Sequence, residues 1–430
     1  MTTAADPAFG LVPGNRWDLL PPGPPASISV VVTHFEQPTQ LSRVLAALDL
    51  QTLRDLEVVV TDDGSAVAPV LPPGVRLVRQ PDLGFRAAAA RNGGAAAASG
   101  DVLVFLDADT VPEPGYVQAL VRRVLACPDV LAVGRRRHAD LSGTGAELPE
   151  PGWLRDGYAA SRDLLDADGR SFRFVISAVM ACRRSLFDDL GGFDERFVGY
   201  GGEDWDLGYR AWNAGAVLVH ERDAVAWHDG PDWAGRSRPA DGGPDVAAAA
   251  TVRAAEDAET ARLAALVPEP LTRGAPLPTE LPDVLVDAAE YDARCVTALL
   301  RQTHRDLRVR AVGAGELHAP VVRAAPWTAD QLRRARVRLR LDRPALLAPD
   351  VVGGLVDRLV RDDLGELLLR VDGELVGVAQ TTRALGRMRR WGAAGGDVVG
   401  RCFGRAEVEV AVVPPRDDLA GFLSAGWGPA

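Results

Sequence analysis

At 430 residues the chain has room for two or three domains, and 47% apolar with 25% charged residues excludes a disordered or fibrous protein. A formal charge of −11 excludes a general nucleic-acid binder, and the absence of lysine among 48 basic residues excludes Schiff-base and P-loop chemistry. No apolar run reaches the roughly 18–20 residues of a bilayer span, the start has no basic signal-peptide region, and four scattered cysteines lack metal or disulfide spacing.

In chain order, residues 1–26 end in the run Pro21–Pro25 and read as a flexible leader. Ile28 to Glu36 reads as a buried strand, and Leu41, Val44, Leu45 and Leu48 carry helical spacing. Leu56 to Ser65 is a second strand running into the turn Asp62-Asp63-Gly64-Ser65, and Val75 to Gln80 is a short third. Arg86 to Ser99 is Ala-rich and helical, and leads to the apolar strand that ends in Asp107-Ala108-Asp109. Strand and helix alternate, which predicts an α/β fold with a mixed, mostly parallel sheet and helices on both faces.

A helix is expected over Tyr116 to Leu125, then an irregular charged stretch over 135–172. Phe174 to Glu195 returns to strand and helix, and Glu203 and Asp204 open another helix behind the glycines Gly199, Gly201 and Gly202. These segments place a catalytic domain at 27–235 and a Pro/Gly/Ala linker at 236–280, with a short helical stretch near Thr251 to Leu266. Residues 281–415 repeat the first domain: Asp292 to Glu316 aligns without gaps on Leu41 to Ser65, and Leu339 to Val360 tracks the D-x-D segment. Gly313 and Ala314 replace Asp62 and Asp63, Asp342 keeps the place of Asp107, and Pro344 replaces Asp109. The second copy reads as degenerate, followed by a tail at 416–430.

Two carboxylates at the C-terminal end of a buried strand sit where open α/β sheets bind ligands, and suit Mg²⁺ or Mn²⁺ with a diphosphate. Turn chemistry alone also explains an Asp there. Asp62 and Asp63 can accept hydrogen bonds from a base and ribose, with Thr33, Phe35 and Glu36 beside them on the same sheet edge. Arg91 can face a diphosphate or base, and the glycines after it permit close backbone approach. Glu203 and Asp204 fit capping of their helix, or a base kept ionised because the helix end lowers its pKa. Trp205, Tyr209 and Trp212 read as core residues before a sugar-stacking wall. His228 lies where a third metal ligand would be needed.

In order and spacing these segments resemble the family 2 glycosyltransferases with the nucleotide-diphospho-sugar transferase fold. Gly201-Gly202-Glu203-Asp204 looks like the motif of β-1,4-galactosyltransferases and of bacterial chondroitin-polymerase-type enzymes. The resemblance implies an inverting, metal-dependent transferase of hexosyltransferase type using a nucleotide-sugar donor, UDP-linked, and a glycan, lipid-linked or small-molecule acceptor. It implies nucleoside contacts at Asp62 and Asp63 and a diphosphate or base contact at Arg91. Asp107 would serve the ribose or the metal, and Asp109 with His228 the Mn²⁺ or Mg²⁺. Asp204 would be the general base, with Glu203 orienting the sugar or acceptor. A cytoplasmic location follows as an expectation, with peripheral attachment at the inner membrane face left open. A catalytically silent carbohydrate- or nucleotide-sugar-binding scaffold is the alternative. A glycosidase also uses two carboxylates but needs neither a D-x-D nor a metal.

Overall fold

The computed structural model describes residues 10–199, 201–230, 246–273, 280–289, 292–311, 321–392 and 396–413. They form two compact units, the first reaching Leu263 and the second holding the chain from Ala264 onward, together with Asn213–Gly215. Among the described residues no helix is long and apolar enough to cross a membrane.

The first unit is built on a nine-stranded mixed sheet. Its strands are β1 (Ile28–His34), β2 (Leu56–Asp62), β3 (Arg76–Arg79), β4 (Val102–Asp107), β5 (Thr110–Pro112), β6 (Val130–Ala139), β7 (Glu147–Leu148), β8 (Val179–Arg183) and β9 (Val217–Asp229). The order is β3-β2-β1-β4-β8-β6-β9-β5, with β7 on the edge of β6. β1 to β4 pair in parallel, and β8 reverses the direction on both of its sides. Val30, Val31 and Val32 of β1 and Val102 to Leu106 of β4 are fully buried, as strands covered on both faces require.

The sheet's strands are joined through the helices α1 (Pro38–Asp49), α2 (Ala87–Ala97), α3 (Tyr116–Ala126), α4 (Gly152–Ala160), α5 (Arg184–Leu190) and α6 (Glu203–Asn213). α2 packs on β1, β2 and β3, while α3 packs on β4, β6, β8 and β9. A Cβ at Gly94 would collide with the side chains of Val31 and Thr61, so that glycine sets how closely α2 lies on the sheet.

The second unit holds a seven-stranded sheet: β10 (Val284–Ala288), β11 (Leu307–Ala311), β12 (Val322–Arg323), β13 (Val337–Leu341), β14 (Leu364–Val371), β15 (Glu374–Thr381) and β16 (Gly404–Glu409). Its order, β12-β11-β10-β13-β15-β14-β16, repeats the first strand for strand from β3 to β9. The same antiparallel reversal falls at β15 as at β8, and β14 pairs in parallel with β16 as β6 does with β9. A single antiparallel bridge, Leu347 to Val412, stands where β5 pairs with the end of β9.

One internal strut is also duplicated. Gln51 donates to the carbonyls of Ala47 and Glu113 and accepts from the Val117 N–H. Gln302 donates to Ala298, Leu347 and Ala348 and accepts from Val352. Each ties the end of its first helix to the start of the helix after the D-x-D strand or its counterpart. Gln51→Leu leaves a backbone donor and acceptor unpaired at a residue only 1% exposed. It is expected to cost about 2–3 kcal/mol, read as a lower denaturant midpoint at unchanged m-value.

Three sequence expectations need correction. Residues 10–26 of the expected leader are packed: the buried Asn15 bonds to the backbone of Leu164 and Leu218, and Arg123 stacks over Trp17. Residues 135–172 are not irregular, because they hold the end of β6, then β7 and α4; the three consecutive arginines Arg135 to Arg137 hide a strand inside the sheet. Within the expected linker, Val246–Leu266 is one 21-residue helix, mostly part of the first unit. Residues 231–245, 274–279 and 312–320, including Gly313 and Ala314, and the tail 416–430 lie outside the described residues.

Candidate functional site

The sheet register gathers the acids at one edge. Thr33, at the end of β1, stands opposite Asp107 at the end of β4, and His34 stands opposite Asp62. The chain leaves β4 at Asp107, and the Ala108 N–H donates to the Thr33 carbonyl. It then enters β5, whose Thr110 pairs with His228 of β9. Asp107 thus closes β4, whereas Asp109 sits in the turn before β5 with its carbonyl accepting from the Asp229 N–H, and the two acids meet different partners.

Asp107 Oδ1 accepts from Arg91 Nη2 at 2.8 Å, and Arg91 Nη1 donates to Glu203 Oε1 at 2.8 Å. Arg91 is buried, with its guanidinium 5.5 Å from the Phe193 ring centre. Burial works against its charge, but Asp107 and Glu203 outweigh that and hold the proton more firmly than usual. The glycines after Arg91 serve the sheet: Gly94, one turn on, brings α2 down far enough for Arg91 to bridge β4 and α6. Asn92 pins the segment ahead of α6, exchanging hydrogen bonds with the backbone of Phe193 and donating to Glu195.

Asp204, next to Glu203 in the first turn of α6, accepts from the Trp205 N–H at 2.8 Å. Its pKa is not lowered by the helix end. Burial, then the neighbouring Glu203 charge, push it up to about 7, against the opposing pull of Arg91 and the Trp205 N–H. Glu259, from the helix Val246–Leu266, adds to the rise. Sequence reasoning missed that acid, which sits in an Ala-rich stretch with no motif around it. Gly201 and Gly202 have φ of +89° and +87° and face Glu259 and the Phe197 ring, so this approach makes room for protein rather than ligand. Tyr209 and Trp212 lie in the core, and Trp205 is half-buried against Trp153.

Asp109 Oδ2 lies 3.4 Å from His228 Nε2. His228 Nδ1 faces the Gly230 carbonyl at 3.1 Å, and its Nε2 is turned toward Asp109. An oxygen and an imidazole nitrogen at that separation fit two neighbouring ligands of one divalent ion. Among the described residues no group of three or more His, Cys, Asp or Glu side chains is arranged for a metal. Asp107 gives one oxygen, Oδ1, to Arg91.

The upstream acids are braced into the protein. Asp62 accepts from His34, Ser65 and Arg79. Burial opposes its charge, but those three partners hold its pKa below the usual carboxylate range. Asp63 accepts one bond on each oxygen, from Gln80 and from the Arg86 N–H, and so keeps acceptor capacity. Glu36, at φ +49°, accepts from the Ala66 N–H and braces the same loop. Phe35 is exposed, and the buried Thr33 hydroxyl has no partner among the described residues. His34, Arg79 and Gln80 were missed because the sequence shows an acid but not the direction it faces. In the second unit Asp342 pairs with Arg340 at the surface.

Residues 29–191 match the family described as glycosyl transferase family 2, and residues 168–220 match the N-terminal domain of galactosyltransferase. Hyaluronan synthase of Pasteurella multocida is 30% identical over 252 residues, covering 50% of this chain and 26% of its own. Validoxylamine A glucosyltransferase of Streptomyces hygroscopicus subsp. jinggangensis is 34% identical over 227 residues, covering 46% of this chain and 54% of its own. Chondroitin synthase of Escherichia coli is 28% identical over 239 residues, covering 47% and 35%. The chain thus spans about half or less of the length of these relatives. The family 2 match falls within its first unit.

Proposed function

We propose that the chain is an inverting, metal-dependent hexosyltransferase that moves a sugar from a UDP-sugar to an acceptor hydroxyl in glycan or glycoconjugate synthesis. The observation that carries this reading is the ladder Asp107–Arg91–Glu203 with Asp204 at its end. It joins the strand edge where a diphosphate would sit to a carboxylate whose pKa, about 7, suits a base at neutral pH.

The step follows from those positions. Asp204 accepts the proton of the acceptor hydroxyl as its oxygen attacks the anomeric carbon, and the bond from that carbon to the diphosphate oxygen breaks. A single base opposite a single leaving group gives one displacement, hence inversion. Glu203, anchored by Arg91, orients sugar or acceptor, and Arg91 keeps Asp107 fixed at the donor edge. Asp63, Thr33 and Phe35 border the nucleoside. Asp109 and His228 would hold Mn²⁺ or Mg²⁺. When bound, the ion neutralises charge on the departing nucleoside diphosphate.

Calorimetry of UDP with and without Mn²⁺ tests the metal and donor together. UDP is expected to bind with Mn²⁺ present, and Asp109→Ala to remove the metal-dependent part of the affinity. Equal affinity with and without the ion would sink the metal assignment. For the second unit we propose a structural or acceptor-positioning role, supported by its repeat of the strand order with Pro344 in place of Asp109. A cytoplasmic location, peripheral to the membrane where the acceptor is lipid-linked, belongs to the same proposal.

A further inference from the structure

A cavity of about 610 Å³ lies in the first unit between β6, α4, the turn at 162–165 and His220 of β9. That volume is in the range of small-ligand sites. Leu154, Ile176 and Val179 give it apolar walls. Arg135, Arg136, Arg155, Arg162 and Arg222 ring it, against the two carboxylates Glu150 and Asp163. Glu150 pairs with Arg135 and Asp163 with Arg222, so the lining carries more arginines than carboxylates in a chain of net charge −11. Arg155 pairs with the exposed Asp156 and Arg162 with the exposed Asp166, and such surface pairs exchange readily for a ligand.

His220 shows that the cavity is built rather than left over. Its Nδ1 meets Asp163 Oδ1 at 2.8 Å, and the Tyr158 ring lies flat on it with centroids 3.7 Å apart. His220 is 6% exposed, lines the cavity, and its buried Nε2 has no partner among the described residues. A buried polar atom of this kind costs stability unless something completes it. Asp163 reaches this position through three consecutive left-handed residues, Arg162, Asp163 and Leu164, at φ +52°, +57° and +67°. Side-chain-bearing residues adopt such runs at a cost, and strain of this sort collects at ligand sites.

The cavity is connected to the proposed base. Trp205, beside Asp204, meets Trp153 edge-on at 6.2 Å. Trp153 stacks on Phe174 at 6.2 Å, and Phe174 packs against Tyr158 at 5.8 Å. A row of rings thus runs from the first turn of α6 to the His220 wall.

We infer that this cavity holds an anionic sugar unit of an extended acceptor, whose chain runs along Trp153 and Trp205 to present its hydroxyl at Asp204. The inference rests on the glycosyl-transfer reading above. Guanidinium forks match a carboxylate or a phosphate equally, so the shared chemistry is an oxyanion on a hexose-sized ring. Asp163 accepts from His220 Nδ1, and the inward-facing Nε2 can hydrogen-bond a ring hydroxyl.

The test is calorimetry on the full chain without nucleotide sugar or metal, using methyl β-glucuronide, glucose 6-phosphate, inorganic phosphate and the neutral methyl β-glucoside. At least one acidic sugar is expected to bind about tenfold or more tightly than the neutral one, and Arg136→Gln and Arg155→Gln each to weaken it by about tenfold. A preference for glucuronide identifies a uronate unit, and a preference for the phosphate a phosphosugar. Equal binding of neutral and acidic sugars, binding of inorganic phosphate as tight as of the sugars, or variants that bind like wild type would overturn the inference. UDP binding with Mn²⁺, measured on the same variants, is expected to stay at the wild-type value and so reports folding. If wild type binds the acidic sugar but not UDP, the transfer reading fails and the cavity stands.

Discussion

Asp204→Asn is expected to lower turnover of a UDP-sugar by roughly 10²–10⁴-fold while UDP binding persists, the usual scale for loss of a general base. In wild type the carboxyl must be ionised to accept a proton, so turnover should fall as pH drops through about 7. The Asn variant should lose that limb of the profile. Stability should move the other way. The folded carboxyl titrates above its ordinary value of 3.8, so its contribution is fully present below that value and is lost as pH rises through about 7. At pH 8 the Asn variant should therefore be the more stable protein, by up to about 4 kcal/mol, with the difference vanishing toward pH 4. Unchanged turnover would remove Asp204 from the role of base, and an unchanged stability difference between pH 5 and 8 would remove the raised titration.

Arg91→Met is expected to cost about 3–5 kcal/mol of stability, because it leaves two carboxylates facing each other across a space that water scarcely reaches. Asp107 and Glu203 would lose the cation between them, and activity should fall with them. Arg91→Lys should recover little, since an ammonium cannot reach two carboxylates with separate N–H groups of one planar fork. Adding Glu203→Gln to Arg91→Met should return part of the lost stability, which denaturant melts of the single and double variants would show. Additive losses in that cycle would mean that Arg91 and Glu203 act independently.

The strand pattern and the repeat were legible because parallel β-strands write themselves as apolar runs. The second sheet follows the first in order even where its acids are gone. β6 was not legible: Arg135 to Arg137 look like solvent-facing sequence, yet they belong to a strand between β8 and β9. In the site, the positions of Asp109, His228, Glu203 and Asp204 could be read, but not the directions of the acids. Asp62 turns inward to three donors, and Asp107 turns to Arg91 rather than to Asp109's partner. The sign of the Asp204 shift was misjudged because a helix terminus can be seen in sequence, whereas burial and the approach of Glu259 cannot.

Gly94 contributes no side-chain atom to the site, yet the height of α2 above the sheet, and with it the reach of Arg91, depends on that empty space. A scan that trims side chains to alanine looks for what is lost when atoms are removed. At position 94 the same scan would add one carbon between helix and sheet, and the damage would surface a full helical turn away. A family survey that scores only charged and aromatic positions would pass over the residue that keeps Asp107 and Glu203 in step.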